Sequence, residues 1–507
     1  MNCLLEITQK PTRVAACDQA VLVPHIWLHH AWILAIILAI SLTGCVVGPD
    51  FKTPKITLPQ TYKNQPGPES LVSSPAPPLD TWWTGFHDPE LVSIISRVLA
   101  QNLDLAAAMA RVRQARAVAK GAGAREMPQG SMDASVAREH QSLDSPLGKI
   151  ASAFPGYERN QTLETFDVGA SWEIDLAGGL KRNAELAQDE AQAAEAMQTG
   201  VRISVAAEAA DVYFQVLDAK TRITLIEQQV KTDAKLLDLE QKRIAFGVAT
   251  KRELAQAEAR LAKARASLPP LHTELELQLN RLDVLMGAPP GTYELELRAV
   301  QAGYEIPAIN TGEGPKELLR RRPDVIAAER RLAASNARIG VALAEYYPKV
   351  SLSALLGFES LGSKSMFTSA SFQPAAIAGL RWRLFDFGLV AAEVVRAKGA
   401  MAEALANYRQ SMLRATEDVE NAVTTFAQLS MQKNELENVV NAHEQALNAA
   451  QNEFEAGSVG LMDVLNEDQQ LLAAREELVH LHANEARAAV GIFRAVGGGW
   501  TPPKRVG

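Results

Sequence analysis

Two stretches of this chain about 220 residues apart share one register without a gap, and no other feature narrows the possible folds as much. Asp104, Leu105, Ala107, Ala108, Arg111, Ala117 and Pro128 stand where the second stretch has Asp324, Val325, Ala327, Ala328, Arg331, Ala337 and Pro348. Further on the offset falls to about 210, so that Trp172 answers Trp382, Gly178 answers Gly388, Gly247 answers Gly457 and Gly287 answers Gly497. The order survives while the loop lengths change. Each half therefore reads as helix, strand, loop, strand, long helix, turn and shorter helix.

The strand segments alternate with a period of two, which a helix would not give. Phe166, Val168, Ala170, Trp172 and Ile174 fall on one face, with Asp167, Gly169, Ser171, Glu173 and Asp175 on the other. Val350, Leu352, Ala354, Leu356 and Phe358 alternate with Ser351, Ser353 and Glu359; Ala376, Ala378, Leu380, Trp382 and Leu384 alternate with Gly379, Arg381 and Arg383. Strands are expected near 131-139, 164-175, 349-359 and 375-385, the first having the weakest pattern. Such alternation suits a half-buried sheet of a soluble protein. Charges on the second face and Gly/Ser/Pro loops near 141-161 and 360-374 favour membrane strands with lipid outside and water inside. Trp172 and Trp382 would then lie in an aromatic girdle, packing inside the protein being the other use for them. Four strands cannot close a membrane barrel, whose minimum is about eight, and lipid tolerates no open edge. Copies must share one barrel. Three would supply about twelve strands and leave a pore, whereas two would supply about eight around a filled interior.

Helices dominate the rest. Alanine is abundant, aromatic residues are 6% and charged residues 22%, spread evenly, which suits long helices. Leu405, Tyr408, Met412, Ala415, Val419, Ala422, Phe426, Leu429, Leu436, Val440, Leu447, Ala450 and Phe454 keep a three-four spacing interrupted at Lys433 and His443. Val205, Ala209, Val212, Val216, Ala219, Ile223, Ile226, Val230, Leu237 and Ile244 do the same in the first half. That period imposes left-handed supercoiling against neighbours. A helix running from about 181 to 246 would be on the order of 100 Å long. A duct wall needs that length, as does a free-standing coiled coil. Both arms turn at glycine, in FGVAT (Phe246 to Thr250) and FEAGSVG (Phe454 to Gly460).

Ahead of the repeats an apolar run from Ala31 to Leu42 ends in LTGC, too short for a permanent membrane helix. Residues 1-44 read as a lipoprotein signal peptide, with the Cys45 thiol carrying a diacylglycerol, such as a palmitate-bearing one, before cleavage and its freed amine an N-acyl chain after it. Residues 1-20 are long and weakly basic for such a segment, which points to a start codon further downstream. Cys3 and Cys17 precede the cut, so no disulfide framework or thiolate metal site is expected in the mature chain. The remaining segments are 45-80, an acylated extended stretch; 81-300, the first repeat; 301-500, the second; and 501-507, a tail.

The formal net charge is -8, and removing Glu6, Lys10, Arg13 and Asp18 with the leader leaves it unchanged, so no nucleic-acid partner is suggested. The nine histidines form no HExxH or other metal spacing, and there is no GxSxG or Walker loop. Neither an enzyme activity nor a metal or other cofactor is expected.

The chain resembles the outer-membrane factors, TolC-like and NodT-type lipoproteins that serve resistance-nodulation-division efflux pumps. The resemblance rests on CVVGPDF from Cys45, FHDPEL ending at Leu91, NLDL at Asn102, ARVRQARA from Ala110, LLRRRPD from Leu318, IGVALAEYYPKVSL from Ile339, MDVL at Met462 and AVGGGW ending at Trp500. These motifs cover essentially the whole mature chain. What the resemblance implies is a mainly α fold with a transmembrane β-barrel: a homotrimer whose twelve-stranded outer-membrane barrel continues as an α-helical periplasmic tunnel closed at its far tip. It further implies passive export of drugs or other small toxic compounds, with a periplasmic adaptor and an inner-membrane pump as partners. Val46 is not the Asp that would signal inner-membrane retention.

Site residues follow from the same resemblance. Asp463 matches an acidic position that helps hold the periplasmic constriction closed, and a three-fold axis turns one carboxylate into a ring whose members raise one another's pKa. A solvated helix face is the plainer use of it. The second family Asp is replaced by Asn466, followed by Glu467, and the first-half counterpart is Glu253. Gly247, Val248, Gly457, Ser458 and Val459 lie in the turns that resemble adaptor-docking tips. In Arg322-Pro323-Asp324 the proline presets a helix start and the aspartate favours the positive end of the macrodipole, a structural role. Two other functions share these features: the outer-membrane component of a type I protein secretion system, against which the lipobox and LLRRRPD stand, and a lipid-anchored periplasmic adaptor, which has no need of two pairs of membrane strands.

Overall fold

In the first half, side-chain caps start the helices where the sequence changes character. The Asp88 carboxylate accepts from the Glu90 and Leu91 amides at 2.9 and 3.2 Å and Pro89 takes the first helical position of α1 (Pro89–Gln101). Asn102 breaks that helix and caps α2 (Leu103–Ala124) by accepting from the Leu105 amide at 3.0 Å. There follow β1 (Gln129–His140), the short α3 (Pro146–Ala151), β2 (Asn160–Ile174), α4 (Gly179–Ala245), α5 (Lys251–Leu285) and α6 (Glu294–Ala299). The second half comprises α7 (Pro323–Ala344), β3 (Lys349–Ser360), β4 (Phe372–Arg381), α8 (Leu389–Glu455) and α9 (Leu461–Ala495). This computed structural model describes residues 46–54, 63, 77–299, 303–309 and 321–501; Cys45 and the leader 1-44 lie outside the described residues.

The duplication is carried into three dimensions at matched lengths. Helices α2 and α7 each have 22 residues, α4 and α8 each 67, and α5 and α9 each 35. A helix of 67 residues is about 100 Å long. Two glycines close the halves in the same way. A Cβ on Gly287 would lie 2.6 Å from the carbonyl oxygen of Gln101, and one on Gly497 2.8 Å from that of Arg321. Both have φ above +70°, so the last helix of each half can seat its end on the residue preceding the half's first repeated helix.

The four strands form one antiparallel sheet in the order β1-β2-β3-β4, leaving β1 and β4 as free edges. The fourth strand departs from expectation. It begins at Phe372 and stops at Arg381 rather than running over 375-385, so Trp382 and Leu384 lie beyond it. The Asp386 carboxylate accepts from the Gly388 and Val390 amides, both at 3.0 Å, and Phe387 and Gly388 take positive φ, which turns the chain into α8. Pro374 is tolerated because β4 is an edge.

The main core gathers around α4, where Val205, Ala209, Val212, Val216, Ala219 and Ile223 of the heptad are all buried. Trp82 stacks on Phe493 with ring centroids 5.3 Å apart, and the buried Tyr213 hydroxyl donates to Asp88 at 2.6 Å. Burial and that carboxylate push the Tyr213 pKa up. Further along α4 the expected seam residues Ile226, Val230, Leu237 and Ile244 are only half-buried, and Gln229, Asp233 and Glu240 are buried instead. There α4 is enclosed by the first turns of α5 and α9, as in the contact of Leu236 with Ala257 and Leu465, which rotates its inner face. Phe454, expected in the α8 seam, is 42% exposed. Among the described residues no single helix is long and apolar enough to cross a membrane.

Gly497→Ala and Gly287→Ala should each destabilise the protein by on the order of 1–3 kcal/mol, because a Cβ meets backbone and φ is left-handed. Gly388→Ala, where nothing lies within 4 Å, should cost less, and thermal unfolding midpoints of the three variants measure the difference.

Candidate functional site: sheet faces, anchor strap and tip turns

Residues directly opposite in an antiparallel ladder share a face. Met132, Val168, Leu356 and Pro374 form one row across the sheet, and Ala134, Phe166, Phe358 and Phe372 the next. Gly130, Ala170, Ala354 and Ala376 follow, then Trp172, Leu352 and Ala378. Most of this apolar face is uncovered, Met132 being 68% exposed and Leu356 58%, while Phe367 of the loop after β3 packs on Phe166 and Phe358 with ring centroids 5.7 and 5.2 Å away. The opposite face carries Asp133, Asp167 and Gln373, then Ser135, Thr165 and Glu359, although Leu355 and Ile377 also lie on it.

Trp172 and Trp382 occupy matching places in the two halves. The Trp172 indole donates to the carbonyl of Glu126 at 2.9 Å, just after α2, and that of Trp382 to Tyr346 at 3.0 Å, just after α7. Each ties a strand end to the turn that precedes the sheet. Tyr346 and Tyr347, about half exposed, lie in that second turn.

Just beyond β2 the chain from Val46 to Asp50 is strapped down. The Val47 amide donates to Ala177, and the buried Arg182 side chain donates to the carbonyls of Val47 and Gly48 and to Asp50 at 3.2, 3.3 and 2.7 Å. Asn336 donates to the Pro49 carbonyl at 2.7 Å. Burial opposes the Arg182 charge, but Asp50 and Glu185 outweigh it and raise its pKa. Arg182 in turn holds the Asp50 carboxyl below its ordinary value. Val46 is thereby held where β2 gives way to α4: a Cβ on Gly178 would lie 2.8 Å from the Cα of Val46.

The Arg322-Pro323-Asp324 motif lies at the start of α7, with Pro323 as its first residue and Asp324 in its first turn. Arg322 also fastens three helices, binding Asp324 at 2.9 and 2.8 Å, Asp418 of α8 at 2.8 Å and the Ala495 carbonyl of α9 at 3.1 Å. Its neighbour Arg321 and Trp500 exchange hydrogen bonds, each donating to the other's carbonyl at 3.0 and 3.2 Å.

At the tips, the Gly247 and Val248 amides donate back to Ile244 and Arg243, and those of Gly457 and Ser458 to Phe454 and Glu453, a left-handed helix closure in both halves. Phe246 is 83% and Val248 64% exposed, while Val459 is half-buried. The expected gate acids are engaged locally. Glu253 accepts from the Thr250 amide at 2.6 Å and its hydroxyl at 2.8 Å, and Asp463 accepts from the Gly460 amide at 3.0 Å. Both close the first turn of the following helix. The Thr250 amide, then its hydroxyl, hold the Glu253 carboxyl below its ordinary value. Glu467 faces His443 of α8 at 3.3 Å, and Asn466 is exposed.

Comparison with known proteins decides what this arrangement belongs to. The family model described as outer membrane efflux protein matches residues 94–288 and 314–498. The chain belongs to the outer membrane efflux protein family. The pyoverdine export outer membrane protein OpmQ of Pseudomonas aeruginosa is 32% identical over 434 residues, 84% of this chain and 89% of that protein. The outer-membrane channel OprN has 30% identity and a TM-score of 0.76, covering 90% of this chain and all of that one. The Campylobacter jejuni outer membrane channel CmeC, 21% identical, shares the fold with a TM-score of 0.81 over 91% of this chain and 96% of its own. This efflux protein is thus an outer-membrane protein, which removes the periplasmic adaptor reading.

Sequence reasoning did not find Arg182, whose partners are backbone carbonyls far away in sequence, nor the buried pair of Asp233 and Arg260. Among the described residues no cluster of three or more His, Cys, Asp or Glu could hold a metal ion. Replacing Thr250 by Ala should weaken the first turn of α5 by about 1 kcal/mol, visible as faster amide exchange at Leu254. Since the Glu253 pKa is lowered, its contribution should be complete above the ordinary 4.5 and fade as pH falls through the lowered value.

Proposed function

We propose that three copies of this chain close a twelve-stranded barrel through the outer membrane and continue it as a helical duct into the periplasm. The observation that carries this is a sheet with an uncovered apolar face and two free edges, one on each flank. The helices support it. α7 packs between α4 and α8, whereas its repeat counterpart α2 packs on α4 and leaves Leu103 and Val118 exposed at 70% and 66%. A neighbouring copy's α8, with Leu389, Val395 and Leu413 exposed, supplies the missing side by the same geometry.

In this arrangement the apolar rows face lipid, the rows of Asp133 and Glu359 face water, and Trp172 and Trp382 form the girdle at one rim. Acylation of Cys45 would attach lipid to the residue that precedes the strapped Val46. The chain acts as the passive exit of a tripartite pump for drugs or other small toxic compounds and carries out no catalysis. An inner-membrane transporter of the resistance-nodulation-division type supplies the energy, and a periplasmic adaptor docks on the two tip turns, where Phe246 and Val248 offer apolar surface. Three copies of Asp463 and Glu467 then line the inner constriction and favour cations.

Planar-bilayer recording tests the duct. Opened by Gly457→Pro and Gly247→Pro, which break both tip turns, the protein should conduct steadily and prefer cations, and Asp463→Asn in that background should weaken the preference. Absence of conductance in the tip-opened variant would exclude a duct.

A further inference from the structure

The two halves pair their strands in the same register. Gln129 faces Ser171 in the first hairpin and Lys349 faces Arg381 in the second, Lys349 lying 220 residues after Gln129 and Arg381 210 after Ser171. The other pairs of the two hairpins keep these offsets. Where β2 meets β3 the chain also shows how one half joins the next, with Ser171 opposite Ser353, Ala170 opposite Ala354 and Val168 opposite Leu356. One such joint stays open, because β4 and β1 are free edges. Moved by the same offsets, those three pairs become Arg381 opposite Asp133, Leu380 opposite Ala134 and Ala378 opposite Val136 of a second copy. Apolar residues then meet on one face and opposite charges on the other.

Charge supports this register independently of the repeat. Within one chain Asp133 lies opposite Asp167 and Arg381 opposite Lys349, and like charges directly opposite destabilise a ladder. Glu345 relieves Lys349 at 2.5 Å and takes up Arg383 at 3.3 Å, while Asp133 has only the Ser131 hydroxyl, at 3.2 Å. Among the described residues neither Asp133 nor Arg381 has an ion-pair partner, and both are exposed. The second copy gives each the opposite charge. A slip of two residues would set Arg381 against Ser131 or Ser135, both uncharged, and a slip of one would turn the apolar rows to the wrong face.

The same offsets carry the joint into the helices. Inside a chain the strap fills it: a Cβ on Gly178 would lie 2.8 Å from the Val46 Cα, and one on Gly340 2.9 Å from the Val47 carbonyl oxygen. Their counterparts are Gly388, which has nothing within 4 Å, and the exposed Lys120. Ala177, whose carbonyl accepts from the Val47 amide, has Phe387 as its counterpart. That phenylalanine is fully exposed and holds a φ of 51°, a conformation rare and costly for a bulky side chain. Nothing in its own chain covers it. The chain has one strap and uses it in the joint between its halves, so the open joint has an aromatic side chain where the closed one has a strap.

We propose that neighbouring copies meet in this register, with Arg381 against Asp133 of the next copy and Phe387 in the place that the strap takes inside a copy. Trp382 then reaches Met132 and Leu384 reaches Gly130, which gives a use to the alternation that runs on past the end of β4. The register presupposes the shared barrel proposed above and fixes which residues meet in it.

Oxidative cross-linking of the full chain in detergent reads the register, Cys45 being the only cysteine after the leader. Arg381→Cys combined with Asp133→Cys should give covalent multimers of up to three chains, several-fold faster than Arg381→Cys combined with Ser131→Cys or Ser135→Cys. Phe387→Cys should likewise link to Lys120→Cys of the next copy. Charge reversal has a sign of its own, because Arg381→Glu and Asp133→Lys each remove a like-charge pair within the chain. Each should nevertheless lower the temperature at which the particle falls to single chains on a native gel, and the two together should restore it. Faster linking at Ser131 or Ser135, a Phe387→Cys that links to no other copy, or a single reversal that raises that temperature would overturn the register. Three-chain particles that link at none of these pairs would overturn it and leave the shared barrel standing, whereas a preparation of single chains would remove both.

Discussion

Lipid offers no hydrogen bonds, and the whole molecule is organised around that deficit. In the proposed barrel a sheet whose apolar rows run from Met132 to Pro374 and from Ala134 to Phe372 faces hydrocarbon, yet its outer strands β1 and β4 leave their backbone groups unpaired within one chain. In water those groups would be solvated; in a bilayer each unsatisfied one costs several kcal/mol. In the proposed trimer, pairing of β4 with β1 of the next copy would remove the cost without any new fold. The duplication then becomes intelligible, because a chain built of two similar halves offers similar contacts inside a copy and between copies.

The helical part obeys the same logic by different means. The long helices α4 and α8 are too long for a globule: the main core takes up only their middle stretches, Val205 to Ile223 and Tyr408 to Val423. Where aromatic residues gather, around Trp82, Phe214 and Phe493, the wall is thick and apolar. Toward the tips it thins, and ion pairs such as Arg260 with Asp233 replace apolar contact. An element held by few apolar contacts and many titratable ones is one whose closure can be adjusted. The strap around Arg182 lies at the other end and the clasp of Arg322 near the middle of α8, and each adds backbone carbonyls, which do not titrate, to its carboxylate partners.

Much of this was legible from residue order. The alternation from Phe166 to Ile174 and from Val350 to Phe358 told the faces of the sheet apart, and the heptad in α4 foretold a helix that ends within two residues of the expected limits. The end of β4 was not legible, because Trp382 and Leu384 continue the alternation past Arg381, while Asp386 just beyond them accepts from the first amides of the next helix. Pro269 and Pro270 would suggest a helix stop, yet α5 runs through them with both side chains on its exposed surface. Asp233 looks like a solvent-facing carboxylate until the first turns of α5 and α9 close over it. The strap was hidden for a simpler reason: carbonyls have no sequence, so nothing marks Val47 and Gly48 as partners of an arginine so far along the chain.

Native mass spectrometry of detergent-extracted protein measures the decisive quantity, the number of chains per particle. A single species of three chains, unchanged on dilution, is what a shared barrel requires. Particles of one chain would mean that β1 and β4 find their partners some other way, and the barrel proposed above would be contradicted.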